Sequence, residues 1–141
     1  MRIDIIVLLI HLLVVAVIDY KQHIIPDQAV MSLIVFKLGY DLIVNQSFIT
    51  MFTNIGYALL IAVPLLLLTL WMEKKTGKFQ MGGGDVKLLG GIALFFPPLD
   101  TLLIIFIGSV IQLMSLKYTK AMMLPLAPAL FISTLLVAFV I

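Results

Sequence analysis

The sequence contains no cysteine among its 141 residues, and its only histidines are His11 and His23. Without cysteine the chain cannot form disulfides, bind metal through thiolates or use a thiol as a nucleophile. Two histidines alone also fall short of a typical zinc site, which takes three or four protein ligands. The sequence therefore predicts no metal site and no cofactor.

Charged residues are also scarce, at 11% of the chain, whereas 63% of the residues are hydrophobic. The mean hydropathy is +1.25. A soluble domain of this length could not bury so much apolar surface, so the excess must face a lipid bilayer. The net charge of +2 comes from lysines scattered at the ends of apolar runs, which argues against a nucleic-acid partner. We therefore expect residues 1–141 to form a single membrane-embedded domain.

Apolar runs separated by polar clusters predict an all-α, polytopic membrane protein with about six transmembrane helices in one bundle. The runs are continuously apolar and lack the alternation of a membrane barrel. The predicted segments are residues 3–19, 28–45, 54–72, 86–97, 101–116 and 123–141.

The basic residues predict the orientation of this bundle. All of the nine except Arg2 and Lys37 fall in or beside the loops that follow the first, third and fifth segments. The positive-inside rule places those loops in the cytoplasm and both termini outside, as in a multi-pass protein of the cytoplasmic (inner) membrane. Lys37 lies within the second segment, where it either extends to the outer surface or pairs with Asp41 four residues on.

The fourth segment is unusually short. Residues 86–97 make about 18 Å of helix, whereas the hydrocarbon core is about 30 Å thick. Either Pro97 and Pro98 dip inward from outside, or the preceding glycines lie below the cytoplasmic surface. The pairs Gly90-Gly91 and Gly108-Ser109 predict close contacts between helices.

Ionisable residues at membrane depth are costly, so each one needs a reason. We expect Asp4, Asp41 and Asp100 to lie in or near outer-side connections and to be solvated. Asp19 ends the first apolar run, where it could also be an interfacial charge beside Lys21. Asp85 follows Gly82, Gly83 and Gly84 and opens the fourth segment, where it could also simply cap the next helix.

Asp19 and Asp85 are both predicted at cytoplasmic ends of different helices, so a bundle could bring their carboxylates face to face. Two such carboxylates at short range share a proton and titrate as a unit. One can then act as general base toward water and the other as general acid, which is the chemistry of aspartic proteases.

Three blocks of sequence resemble the type 4 prepilin peptidase family, which belongs to the GxGD group of membrane aspartic proteases. The run Gly82-Gly83-Gly84-Asp85-Val86-Lys87-Leu88-Leu89 is similar to the family's GxGDxKLL signature. The run from Asp19 to Pro26 resembles its first catalytic block, an aspartate shortly before an Ile-Pro pair. The run from Pro125 to Leu130 resembles the start of its last core helix. The blocks follow the family order and span nearly the whole chain.

The resemblance implies roles for individual residues. Asp19 and Asp85 would be catalytic, and the motif glycines Gly82 and Gly84 would shape the backbone near the scissile peptide. Lys87 matches the motif lysine, and it could equally be a further inside-positive anchor. Asp27 departs from the family, because many relatives have asparagine after the Ile-Pro pair.

The resemblance also implies a function. The protein would be an aspartic endopeptidase that removes a short basic leader from type 4 prepilin-like precursors at the cytoplasmic membrane face. Larger members carry a cytoplasmic domain with a cysteine tetrad and methyltransferase activity, so we expect peptidase activity without N-methylation. Two alternatives stay open, namely a proton-coupled membrane carrier and a non-enzymatic assembly protein of a pilus or secretion machine. The sequence does not indicate the oligomeric state or the particular precursor.

Overall fold

The computed structural model describes residues 3–77, 83–119 and 125–140. These residues form six helices and no strand, which confirms the predicted all-α fold. The helices are α1 (Ile3–Gln22), α2 (Asp27–Ile43), α3 (Phe48–Thr76), α4 (Gly83–Ala93), α5 (Pro98–Thr119) and α6 (Ala127–Val140).

Length and composition suit this bundle to a membrane. Within the described ranges, α1, α3 and α5 are long and apolar enough to cross a bilayer, and α6 is a shorter apolar helix. Only 6% of the most apolar stretch of α3 is buried in the protein. In a membrane, that exposed apolar surface would face lipid rather than water. The chain is therefore an all-helical membrane bundle.

The ends of α3 show why hydropathy underestimates helix length. The predicted segment covers residues 54–72, whereas the helix begins at Phe48, where the side chain of Ser47 accepts a hydrogen bond of 3.1 Å from the backbone N–H of Thr50. It ends before Gly77, whose φ of 66° lies in the left-handed region that glycine adopts readily. Capping residues set the helix ends, and the apolar run marks only the part within lipid.

The short helix α4 is the most enclosed element of the bundle. It packs mainly against α3, with further contacts to α2 and α5. A Cβ atom added to Gly90 would lie 3.2 Å from the Cβ of Ala62 on α3, and one added to Gly108 would lie 3.2 Å from Leu130 on α6. The predicted close helix contacts at these glycines are confirmed.

The prediction that Asp4 and Asp41 are solvated is wrong. Both carboxylates are fully buried, and Lys37, which is 1% exposed, binds them through its Nζ at 3.0 Å and 2.9 Å respectively. Of the two alternatives for Lys37, pairing with Asp41 is confirmed. Asn45 and Asn54 donate further hydrogen bonds to Asp41. Three helices meet here, because Asp4 lies on α1, Lys37 and Asp41 on α2, and Asn54 on α3.

This ion cluster marks one end of the bundle. The Nζ of Lys37 also lies 5.3 Å from the ring centroid of Phe95, just beyond α4. The cluster therefore gathers the start of α1, the end of α2, the start of α3 and the chain after α4. The other ends of these helices lie at the opposite end of the bundle, where Asp19 and Asp85 are found.

Candidate active site

Asp19 lies in the last turn of α1 and is 5% exposed. Its Oδ2 accepts a hydrogen bond of 2.9 Å from the backbone N–H of Ala127, the first residue of α6. The first N–H groups of a helix have no partner within that helix. The carboxylate of Asp19 on α1 provides an acceptor for one of these N–H groups, and the hydrogen bond joins α1 to the start of α6.

This hydrogen bond distinguishes the two oxygens of Asp19. Oδ2 is engaged as an acceptor by a backbone donor that cannot move away without disturbing α6. Oδ1 takes no part in this hydrogen bond.

A short connection between α1 and α2 begins four residues after Asp19. The backbone N–H of His23 donates to the carbonyl of Asp19 at 2.8 Å, and His23 has a φ of 55°. Pro26 is extended and precedes α2, where its carbonyl accepts from the N–H of Ala29 at 3.1 Å. The turn leaves Ile24 exposed and directs Ile25 into the core.

Ile25 connects this turn to the glycine-rich start of α4. A Cβ added to Gly84 would lie 3.1 Å from the Cβ of Ile25 and 3.6 Å from its carbonyl oxygen. That first distance is shorter than most carbon contacts, so a side chain at position 84 would require Ile25 to move slightly. Asp85 follows Gly84 in the first turn of α4 and is half-buried. The contact brings the two aspartate-bearing segments to the same end of the bundle.

The neighbouring glycines differ in this respect. Gly82 lies outside the described residues. A Cβ on Gly83 would meet nothing within 4 Å, so Gly83 is under no steric demand from its surroundings. Of the two described glycines in the motif, Gly84 is the one against which a neighbouring side chain packs closely.

Lys87 and Asp27 form an ion pair at the same end of the bundle. The Nζ of Lys87 lies 2.9 Å from Oδ1 of Asp27, and the two side chains are 57% and 67% exposed. Asp27 therefore adds no unbalanced negative charge beside the candidate site. Exposed ion pairs contribute little to stability, so the pair leaves both side chains able to change partners.

Two contacts in this region could not be predicted from the sequence. The donation from Ala127 to Asp19 spans 108 positions, and the approach of Ile25 to Gly84 also joins distant segments. Neither leaves a local pattern. The Ile-Pro pair and the block from Pro125 to Leu130 do mark these places, but only through the resemblance to a family.

Comparison with known proteins agrees with the family that the motifs indicate. Searches of the curated proteins and of the solved structures found no match to the chain. The family model described as the type IV leader peptidase family matches residues 6–116, which include Asp19 and Asp85 but not α6. Because the match covers most of the chain, the protein belongs to the type IV leader peptidase family and is a membrane protease of that kind.

Proposed function

We propose that the protein is an aspartic endopeptidase of the GxGD type, in which Asp19 and Asp85 form the catalytic pair. Its substrate would be a type 4 prepilin-like precursor, cut between a short basic leader and the apolar helix that follows. Gly82, Gly84 and Lys87 would bind the substrate, and the two glycines would do so by shaping the backbone near the scissile peptide.

One observation carries this proposal. The contact between Ile25 and Gly84 joins the two sequence blocks in which the family resemblance places the aspartates. Asp19 and Asp85 lie 66 positions apart in the sequence, and the fold nevertheless brings their segments to one end of the bundle. A non-enzymatic scaffold would have no use for a buried acid such as Asp19.

The chemistry follows from the two carboxyl groups. One carboxylate takes a proton from a water molecule, whose oxygen attacks the scissile carbonyl carbon. The other carboxyl, which carries a proton, donates it toward the carbonyl oxygen or the leaving amine. Since Oδ2 of Asp19 is held by Ala127, its Oδ1 would take part in the proton transfer.

The lysines support a cytoplasmic location for this site. Lys21, Lys87 and Lys117 belong to the same end of the bundle as Asp19 and Asp85, whereas the opposite end holds the buried ion cluster. The positive-inside rule assigns the lysine-rich end to the cytoplasm. A precursor whose leader is held on that face would present its scissile bond there.

Cleavage of a defined precursor tests the proposal. The purified protein is incubated in detergent with a pilin-like precursor that has a basic leader and one apolar helix, and the new N-terminus is read by mass spectrometry. We expect a cut at the junction of leader and helix. The Asp85→Asn variant should give no product, whereas Asp100→Asn, at the start of α5, should cleave like the wild type.

Two results would count against the proposal. A cut inside the apolar helix would indicate an intramembrane protease of the presenilin kind. No difference between wild type and Asp85→Asn, with no cut in any leader-bearing precursor, would favour the carrier or the assembly protein.

A further inference from the structure

The residue that follows the Asp19 helix has an unusual backbone conformation. His23 has a φ of 55°, in the left-handed region that residues other than glycine rarely adopt. Its backbone N–H donates a hydrogen bond of 2.8 Å to the carbonyl oxygen of Asp19, four residues earlier. Together these features make a helix C-cap, in which a left-handed residue, usually glycine, directly follows the helix. Histidine takes that place here, after Gln22 at the end of α1.

This cap leaves very little chain between the two parts of the candidate site. Only His23 and Ile24 separate the end of α1 from Ile25, whose side chain packs closely against Gly84. Each residue spans at most about 3.6 Å, so two residues allow the chain little freedom of direction. The backbone at position 23 therefore sets where Ile25 meets the segment that carries Asp85.

The imidazole of His23 takes no part in the cap. Its side chain is exposed, and the hydrogen bond to Asp19 comes from the backbone. Apart from glycine, the residues that adopt the left-handed region most readily are asparagine, aspartate and histidine, whereas a β-branched residue there is a genuine outlier. A substitution at position 23 can thus change the backbone preference without removing a buried side chain.

We propose that His23 is a positioning residue, whose left-handed backbone aligns Asp19 with the segment that carries Asp85. This inference rests on the proposed function and adds a residue to which the family resemblance assigns no role. His23 would act only through others, namely through the last turn of α1 and through Ile25. A residue that resists the left-handed conformation would disturb that turn and displace Ile25 from Gly84.

Gln46 provides a matched control at the opposite end of the bundle. Among the described residues other than glycine, His23 and Gln46 are the two with positive φ, and the φ of Gln46 is 47°. The side chain of Gln46 is also exposed. It lies between α2 and α3, where the N–H of Ser47 donates to the carbonyl of Asp41 in the buried ion cluster. The same substitution at position 46 therefore imposes the same kind of backbone strain away from the candidate site.

Cleavage of the pilin-like precursor tests the inference, with kcat and KM determined separately and thermal unfolding in detergent measured for each variant. We expect His23→Val to lower kcat by about tenfold or more and to change KM much less, because small misplacements of catalytic groups slow the chemical step. His23→Asn and His23→Gly should keep the wild-type kcat, since both residues accept the left-handed backbone. His23→Ala should fall in between, and it serves as the test if the valine variant does not fold. Gln46→Val should lower the unfolding temperature but keep the wild-type kcat.

Three results would overturn the inference. A wild-type kcat in both His23→Val and His23→Ala would mean that the backbone at position 23 does not align the site. A loss of kcat in His23→Gly and His23→Asn as well would assign the effect to the imidazole. An equal loss in Gln46→Val would indicate a general loss of stability. In each case the wild type cleaves and the proposed function stands, whereas failure of the wild type to cleave would overturn the proposed function and this inference with it.

Discussion

The backbone N–H of Ala127 donates a hydrogen bond of 2.9 Å to Oδ2 of Asp19, 108 positions earlier in the chain. The bond gives Asp19 a structural task in addition to the chemical one proposed for it. Loss of the carboxylate would leave a buried N–H at the start of α6 without a partner, and buried donors without partners are costly. Two different substitutions of Asp19 separate its structural role from its proposed catalytic role.

Asp19→Asn and Asp19→Ala should both abolish cleavage, because neither side chain can act as an acid or base. Their stabilities should differ. The asparagine oxygen can still accept from Ala127, whereas alanine cannot, so Asp19→Ala should lower the free energy of unfolding by about 1 kcal/mol more. Thermal unfolding in detergent measures the difference. Equal stability of the two variants would mean that the hydrogen bond contributes nothing to α6.

Gly84→Ala and Gly83→Ala form a second matched pair. The new Cβ at position 84 would press on Ile25, and overpacking of this kind costs about 1–3 kcal/mol. The Cβ at position 83 would enter open space. We therefore expect Gly84→Ala to reduce both the unfolding temperature and the cleavage rate, and Gly83→Ala to change neither appreciably. The contact with Ile25 would be unimportant if the two variants behaved alike.

The buried ion cluster predicts a large effect from one neutral substitution. Lys37→Met would leave Asp4 and Asp41 buried without their shared cation, which should cost about 3–5 kcal/mol. Adding Asp4→Asn and Asp41→Asn to the same chain removes the uncompensated charges and should restore most of the stability. Chemical or thermal unfolding of the single and triple variants measures both steps. A single variant as stable as the wild type would show that these charges are compensated in another way.

The orientation of the bundle predicts which loops a reagent can reach. In intact cells, a membrane-impermeant thiol reagent should label Gln46→Cys, in the connection between α2 and α3, but not Lys75→Cys near the end of α3. Both positions are exposed, so access depends on the side of the membrane. Labelling of Lys75→Cys from outside would reverse the orientation and remove the proposed site from the cytoplasmic face.

Much of the fold could be predicted because a lipid bilayer strongly restricts the structures that can cross it. A segment that crosses a bilayer must be apolar and must satisfy its own backbone, so continuous apolar runs are helices. Helix ends were less predictable, since capping by residues such as Ser47 and Gly77 does not depend on hydropathy. The motif residues Asp19 and Asp85 could be found because their blocks keep a recognisable local order.

Asp4 and Asp41 show the limit of that reasoning. Near the end of an apolar run, a carboxylate is read as solvated. The spacing of four residues allows the prediction that Lys37 pairs with Asp41, but only the packing of α1 against α2 reveals that Lys37 also binds Asp4 and that all three groups are buried. A charge 33 positions away leaves no periodic or local signal.

By itself, the sequence determined that the chain is an all-helical membrane protein and which residues carry the family's motifs, because hydropathy and motif order are properties of neighbouring residues. Only the tertiary structure decided that Asp19 accepts a hydrogen bond from Ala127 at the start of α6 and that Ile25 packs closely against Gly84. Those features arise from contacts between helices distant in the chain, where close packing rather than local pattern sets the geometry.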